Sequence, residues 1–144
     1  MTMRTSYKTL FAGLMVSGFM ALSSGAMAAT SPETVAGATT VDTEKAKALW
    51  QDGAAMLDTR KDSDWEAAHI PEAIHLDRKN PAKYNEAAVA AEIDKDEAVI
   101  SYCNGHSCLR SAKTAADLVK WGYTKVYYYR DGLPAWMSAG NSIE

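Results

Sequence analysis

Cysteine is scarce in this chain of 144 residues, which holds 2 in all. A disulfide-dense scaffold and a four-cysteine zinc site are therefore excluded, and any role for Cys103 or Cys108 is local and chemical. Basic runs are also missing. With 15 Lys and Arg against 18 Asp and Glu, a net of -3, no face-sized cationic patch stands out, which argues against nucleic acid and leaves small molecules or proteins as partners. Beyond residue 28 no apolar stretch approaches the roughly 20 residues that cross a bilayer. Nine Gly and 4 Pro are too few for a collagenous or low-complexity chain, and 47% hydrophobic with 23% charged residues suits a folded core rather than disorder. The length has room for one domain of about 100 to 150 residues.

Residues 1–28 read as a secretory signal peptide. The segment MTMRTSYK carries Arg4 and Lys8 and no acid, an apolar stretch follows from Leu10 to Leu22, and Ala26 and Ala28 supply an A-x-A site, so cleavage is expected before Ala29. An uncleaved anchor is the alternative, but the stretch is short and is broken by Gly13, Ser17 and Gly18. Removing Arg4 and Lys8 with the signal leaves 13 basic against 18 acidic side chains, a net of -5. In a bacterium such a protein is periplasmic or secreted, where thiols meet an oxidising machinery.

Residues 29–38, ATSPETVAGA, are small, polar and aperiodic, and are expected as a flexible lead-in to a single domain over 39–144. From Thr39 short apolar runs alternate with helical patterns. Strands are expected at 39–42, 54–59, 73–77, 98–103 and 125–130, and helices at 43–53, 62–69, 81–93, 110–123 and 132–140, the first capped by Asp42 or Thr43. Strands separated by helical stretches predict an α/β fold, an open parallel sheet of about five strands flanked by helices on both faces. In such sheets the functional crevice lies at the carboxyl ends of the strands. The segment YCNGHSCLRS stands at that position, where the strand ending at Cys103 hands over to a helix.

The chemistry expected of this loop follows from its place. Backbone N–H groups curling into a helix N-terminus converge above a strand end, and Arg110 adds a forked cation, so the site favours an anion. The same field favours a thiolate at Cys103 and makes it the candidate nucleophile. Asn104, Gly105, His106, Ser107, Leu109 and Arg110 are the candidate substrate-binding residues.

Three separated patches resemble the rhodanese domains over essentially all of residues 39–140. The segment LDTRKDSDWEAAHIPEAIHL is similar to a D-x-R stretch followed by H-I-P-x-A, here Asp58, Arg60, His69, Ile70, Pro71 and Ala73. VISYCNGHSCLRSAKTAADL is similar to the active-site loop with its R-S-A continuation. VYYYRDGLPAWMSAG is similar to the closing G-G-x-x-A-W segment, with Asp131 in place of the first glycine and Gly132, Ala135 and Trp136 in register. The resemblance implies a rhodanese-like fold and a sulfurtransferase. Cys103 would take sulfane sulfur from a donor such as thiosulfate, hold it as a persulfide, and pass it to a thiophilic acceptor. Neither a cofactor nor a metal is expected, since Cys103, His106 and Cys108 are too few ligands at no recognised spacing.

The chain departs from that family pattern in one respect. Sulfurtransferases of the family place four residues between cysteine and arginine, and the related phosphatases and arsenate reductases five, whereas NGHSCL supplies six. A longer loop predicts a wider cradle that could admit a larger donor or a protein thiol. It also brings Cys108 within reach of Cys103. Cys108 is read three ways: a resolving thiol that attacks a persulfide or sulfenate, a structural disulfide partner, or a space-filling bystander. The competing function is thus a non-catalytic or redox-active module built on a Cys103/Cys108 disulfide, and a dithiol oxidoreductase is a further one. A phosphatase lacks both the spacing and an identifiable general acid. His69 is expected to order a turn, and Asp58 and Arg60 to pair for stability.

Overall fold

The computed structural model describes residues 29–144; the expected signal sequence, residues 1–28, lies outside them. Five strands, β1 (Thr39–Thr40), β2 (Ala55–Asp58), β3 (Ile74–His75), β4 (Ala98–Tyr102) and β5 (Lys125–Tyr129), alternate with five helices. The helices are α1 (Thr43–Gln51), α2 (Asp62–Ala67), α3 (Glu86–Glu92), α4 (Arg110–Lys120) and α5 (Gly132–Ser138). The strands pair in the order β1-β5-β4-β2-β3, every pair parallel. The α/β fold with a five-stranded parallel sheet is the one expected from the alternation of strands and helices.

Neighbouring residues of the central strands point to opposite faces, which is why they read as unbroken apolar runs. Leu57, Val99 and Tyr128 join Val89 of α3 and Ala112, Ala115 and Leu118 of α4 in one core. Met56, Ile100, Tyr102 and Tyr129 join Ala46 of α1 and Leu133 and Trp136 of α5 in the other. Alanines at the α4 contact let that helix lie close to the sheet, and Ser101 on β4 ties its start by donating to the Ser111 carbonyl at 2.9 Å. Gly122, with φ of 87°, ends the helix in the left-handed conformation that a side chain would disfavour.

Asp42 caps α1 by accepting from the Lys45 amide at 2.8 Å. Helix α3 begins at Glu86, not at Pro81 as its sequence pattern predicts. Two asparagines explain the difference. Asn80 accepts from the Ala82 amide at 3.0 Å and holds a turn, and Asn85 accepts from Ala88 at 2.9 Å and starts the helix afresh.

Residues 29–38, expected as a flexible lead-in, are fastened to the domain through backbone groups. Buried Ser31 donates its amide to the His106 carbonyl at 2.7 Å and receives Arg130 at both its hydroxyl and its carbonyl. Tyr128 donates to the Pro32 carbonyl at 3.0 Å, and Val35 and Ala38 pack on the α4 face of the core. Such anchoring has no side-chain periodicity to reveal it.

Leu118 is fully buried at the centre of the α4 contact. Leu118→Ala is expected to destabilise the domain by about 2 to 5 kcal/mol through lost burial and a residual cavity, read as a lower urea midpoint at unchanged m-value.

Candidate active site

The carboxyl end of β4 lies between those of β5 and β2, so the loop that leaves it is flanked by the segments that leave its neighbours. Cys103 is the first residue of that loop and is 1% exposed. Its carbonyl accepts from the Leu133 amide at 2.9 Å, which seats the start of α5 against it. Gly132, with φ of 66°, makes this approach possible, because a Cβ there would collide with the Cys103 carbonyl and lie 2.9 Å from the Gly105 nitrogen. The glycine of the closing segment is thus a packing requirement of the cysteine loop.

Cys103 and Cys108 are joined by a disulfide, with Cα atoms 6.2 Å apart. The connection is prepared by a turn in which the Cys108 amide donates to the Gly105 carbonyl at 3.0 Å, with Gly105 at φ of 102°. The two added residues therefore fold the loop back on itself. A turn and a bridge thus take up the extra chain.

Two further contacts hold the same loop from outside. His106 Nε2 lies 2.6 Å from Asp131 Oδ1, the acid that stands where the family pattern has glycine, and the His106 carbonyl receives the Ser31 amide. Asn104 is engaged on both sides of its amide, accepting from Arg60 at 3.1 Å and donating to Asp64 at 2.9 Å. Its side chain therefore positions the loop. By contrast, the backbone amides of Asn104, Gly105, His106, Ser107 and Leu109 donate to no partner among the described residues.

A cleft of about 400 Å³ opens beside the loop, lined by Cys103, Asn104, Ser107, Cys108 and Arg110 together with Arg60, Lys61, Lys79 and Asp64. Lys61, Lys79 and Arg110 line the cleft with one carboxylate, Asp64, while Arg60 is paired with Asp58, so the cleft suits an anion despite the acidic whole. Arg110 Nη1 makes long contacts to the Thr59 carbonyl, 3.3 Å, and to Asp77, 3.4 Å, which leave most of its five donors available. Leu109 instead helps line an apolar hollow with Pro32, Val35 and Ala112, and His106 projects towards Asp131. Of the expected substrate-binding set, the structure thus brings Asn104, Ser107 and Arg110 to the cleft, places Leu109 between the apolar hollow and an adjoining cleft shared with Cys108 and Arg110, and turns the side chain of His106 to Asp131. Lys61 and Lys79 escape a linear reading. They follow β2 and β3, and the strand order sets β2 next to β4 and β3 next to β2, on the same side of the cysteine loop.

Beneath the cleft lies a buried ion pair. Asp58, at the end of β2, is fully buried and receives Arg60 Nε at 3.0 Å and Nη2 at 2.6 Å. Arg60 also donates to the Ala68 carbonyl at 2.7 Å, and Tyr102 donates to Asp58 at 2.6 Å while accepting from the Ile70 amide at 3.2 Å. Burial works against the charge on Arg60, but the hydrogen bonds and charge of Asp58 outweigh it and hold the guanidinium pKa above its ordinary value. Burial first, and then the neighbouring Asp58 charge, push the Tyr102 hydroxyl far above the usual phenol range. Trp65 of α2 stacks on His69 at 3.4 Å between ring centroids, and His69 Nδ1 lies 2.9 Å from the Trp65 carbonyl, so this histidine serves the turn before β3.

Fold and site together define a small α/β domain with a cysteine loop at the carboxyl edge of a parallel sheet. The model of the rhodanese-like domain matches residues 42–139. A thiosulfate sulfurtransferase GlpE of Pseudomonas fluorescens is 37% identical over 107 residues, covering 69% of this chain and 91% of that protein. The mitochondrial protein HIGH ARSENIC CONTENT 1 of Arabidopsis thaliana is 31% identical over 123 residues, 79% of this chain and 70% of that one. Among solved structures, a polysulfide-sulfur transferase homodimer of Wolinella succinogenes superposes with a TM-score of 0.62 at 17% identity, over 76% of this chain and 80% of that chain. The chain belongs to the rhodanese-like domain family.

Removing one partner of the buried pair strands the other's charge. Asp58→Ala is expected to cost about 3 to 5 kcal/mol in chemical denaturation, and Asp58→Ala combined with Arg60→Met to recover a large part of it. Equal losses in the single and double variants would contradict that origin.

Proposed function

We propose that this domain is a sulfurtransferase in which the Cys103 thiolate takes sulfane sulfur from an anionic donor such as thiosulfate and passes it to a thiophilic acceptor, a small anion or a protein thiol. The reading rests on one observation above all. Cys103 is the first residue after a central strand, in a loop with five backbone amides that have no partner among the described residues, beside a cleft lined by Arg110, Lys61 and Lys79. Membership of the family and relatives named thiosulfate sulfurtransferase support the same chemistry.

The reaction starts from the reduced protein. The thiolate attacks the outer sulfur of the donor, the donor's S–S bond breaks, and the oxyanion leaves with the bonding pair. The persulfide that results is an anion, and the loop amides and Arg110 stabilise it as they stabilised the donor. Cys103, Arg110 and the loop from Asn104 to Leu109 are the proposed site. We place the protein in the periplasm, on the strength of the charged, apolar and A-x-A pattern of residues 1–28. No helix among the described residues is long and apolar enough to cross a membrane.

The disulfide favours a second reading, a module that uses the Cys103/Cys108 bridge without sulfur transfer. Intact mass together with turnover, measured as sulfite released from thiosulfate, separates the two. After reduction and exposure to thiosulfate, a transferase gains sulfur at Cys103 or turns over, whereas such a module gains none.

Cys103→Ser is expected to abolish thiosulfate turnover. Arg110→Ala is expected to lower kcat/KM for thiosulfate roughly ten- to a hundredfold, the loss of one charge-assisted contact of about 1.5 to 3 kcal/mol, at little change in thermal stability. Full turnover in Arg110→Ala would remove the arginine from the site.

A further inference from the structure

We propose that Cys108 resolves the Cys103 persulfide, so that the domain reduces sulfane sulfur to hydrosulfide, closes its own disulfide, and is reopened by an external dithiol that attacks at Cys108. The inference rests on the Cys103 persulfide reading and extends it to the product and to the partner.

The fold places Cys108 at bonding distance from Cys103 and keeps it there. The Gly105–Cys108 turn aims the second cysteine back, the Leu133 amide fixes Cys103 from below, and Ser31 and Asp131 hold His106 between them. A sulfur carried on Cys103 therefore sits beside a built-in thiol. Orientation of this kind gives an intramolecular nucleophile a large advantage over a dissolved acceptor.

The steps balance without an outside oxidant. In the first, the Cys103 thiolate displaces sulfite from thiosulfate and becomes the persulfide anion. In the second, the sulfur of Cys108 attacks Cys103 Sγ as its thiol proton is lost. The bond from Sγ to the outer sulfur breaks, and that sulfur leaves with the electron pair and the proton as hydrosulfide. The two cysteines have supplied two electrons, and the disulfide records them.

Exposure decides where the bridge is reopened. Cys103 is 1% exposed, whereas Cys108 is half-buried and lines both the cleft beside Arg110 and an adjoining one with Arg78 and Lys113. An external thiolate thus meets Cys108 first, and Cys103 is the leaving sulfur, released where the loop amides favour its charge. Lys79 and Lys113 make no ion pair among the described residues and attract a thiolate to that side. A dithiol then completes the exchange with its second sulfur and restores both cysteines.

The test is a single turnover. Anaerobic, fully reduced protein freed of reductant is mixed with thiosulfate, and sulfide release, intact mass and free thiols are measured for the wild type, Cys108→Ser and Cys108→Ala at matched thermal stability. The wild type is expected to release one hydrosulfide per chain, lose two hydrogens and retain no sulfur, while both variants hold one sulfur on Cys103 and release none. A wild type that retains its persulfide without forming the disulfide overturns the resolving role and leaves the transferase reading intact. Absence of sulfur uptake in all three proteins overturns both. The wild-type measurement stands even if a variant fails to fold.

Discussion

The buried contact between Asp58 and Arg60 joins four parts of this molecule. Its carboxylate ends β2 and receives the hydroxyl of Tyr102, the last residue of β4, while its guanidinium reaches the carbonyl that ends α2 and the side chain of Asn104 in the cysteine loop. A charge placed at the bottom of a cleft is costly unless every donor and acceptor around it is matched, and here the matching groups come from β2, β4, α2 and the loop. Satisfying one pair therefore sets the relative position of all four. Asn104 is turned by the same guanidinium and then fixed by Asp64, so the loop begins in a defined direction.

From that anchored start the loop is shaped mostly by backbone. Gly105 takes a conformation open to glycine, Cys108 closes a turn onto it, and Gly132 allows the start of α5 to press against the Cys103 carbonyl. Amides left over from this arrangement have no partner among the described residues and follow Cys103 in the loop. The positive character of the site thus comes from fixed dipoles and from cations on neighbouring segments, and it coexists with an excess of acidic residues elsewhere. Charge on the whole chain and charge at the site are separate quantities.

The loop's two added residues have a structural meaning that length alone conceals. They make the turn that bonds Cys103 to Cys108, which couples the proposed sulfur chemistry to a dithiol–disulfide pair within one small element. Asp131 belongs to the same departure, because it meets His106, a residue of the lengthened loop, in place of the family's glycine. Both changes act on one object, the position of the second sulfur.

Much of this was legible along the chain. Strands 98–102 and 125–129 and the helix at 110–120 are local matters of apolar period, and Cys103 at a strand-to-helix junction follows from them. The three patches with family resemblance also lie in the linear text. What the chain alone determined, then, is the class of fold and the place of the cysteine loop on it, because each depends on residues close in sequence. Tertiary structure alone decided the rest. Lys61 and Lys79 join the cleft through strand order, Ser31 reaches His106 across 75 positions, and Cys108 becomes bonded to Cys103 rather than merely near it. Contacts such as Ser31 with His106 and Arg60 with Asn104 form only after distant segments have been closed into one sheet, and no periodicity or local propensity records the outcome of that closure.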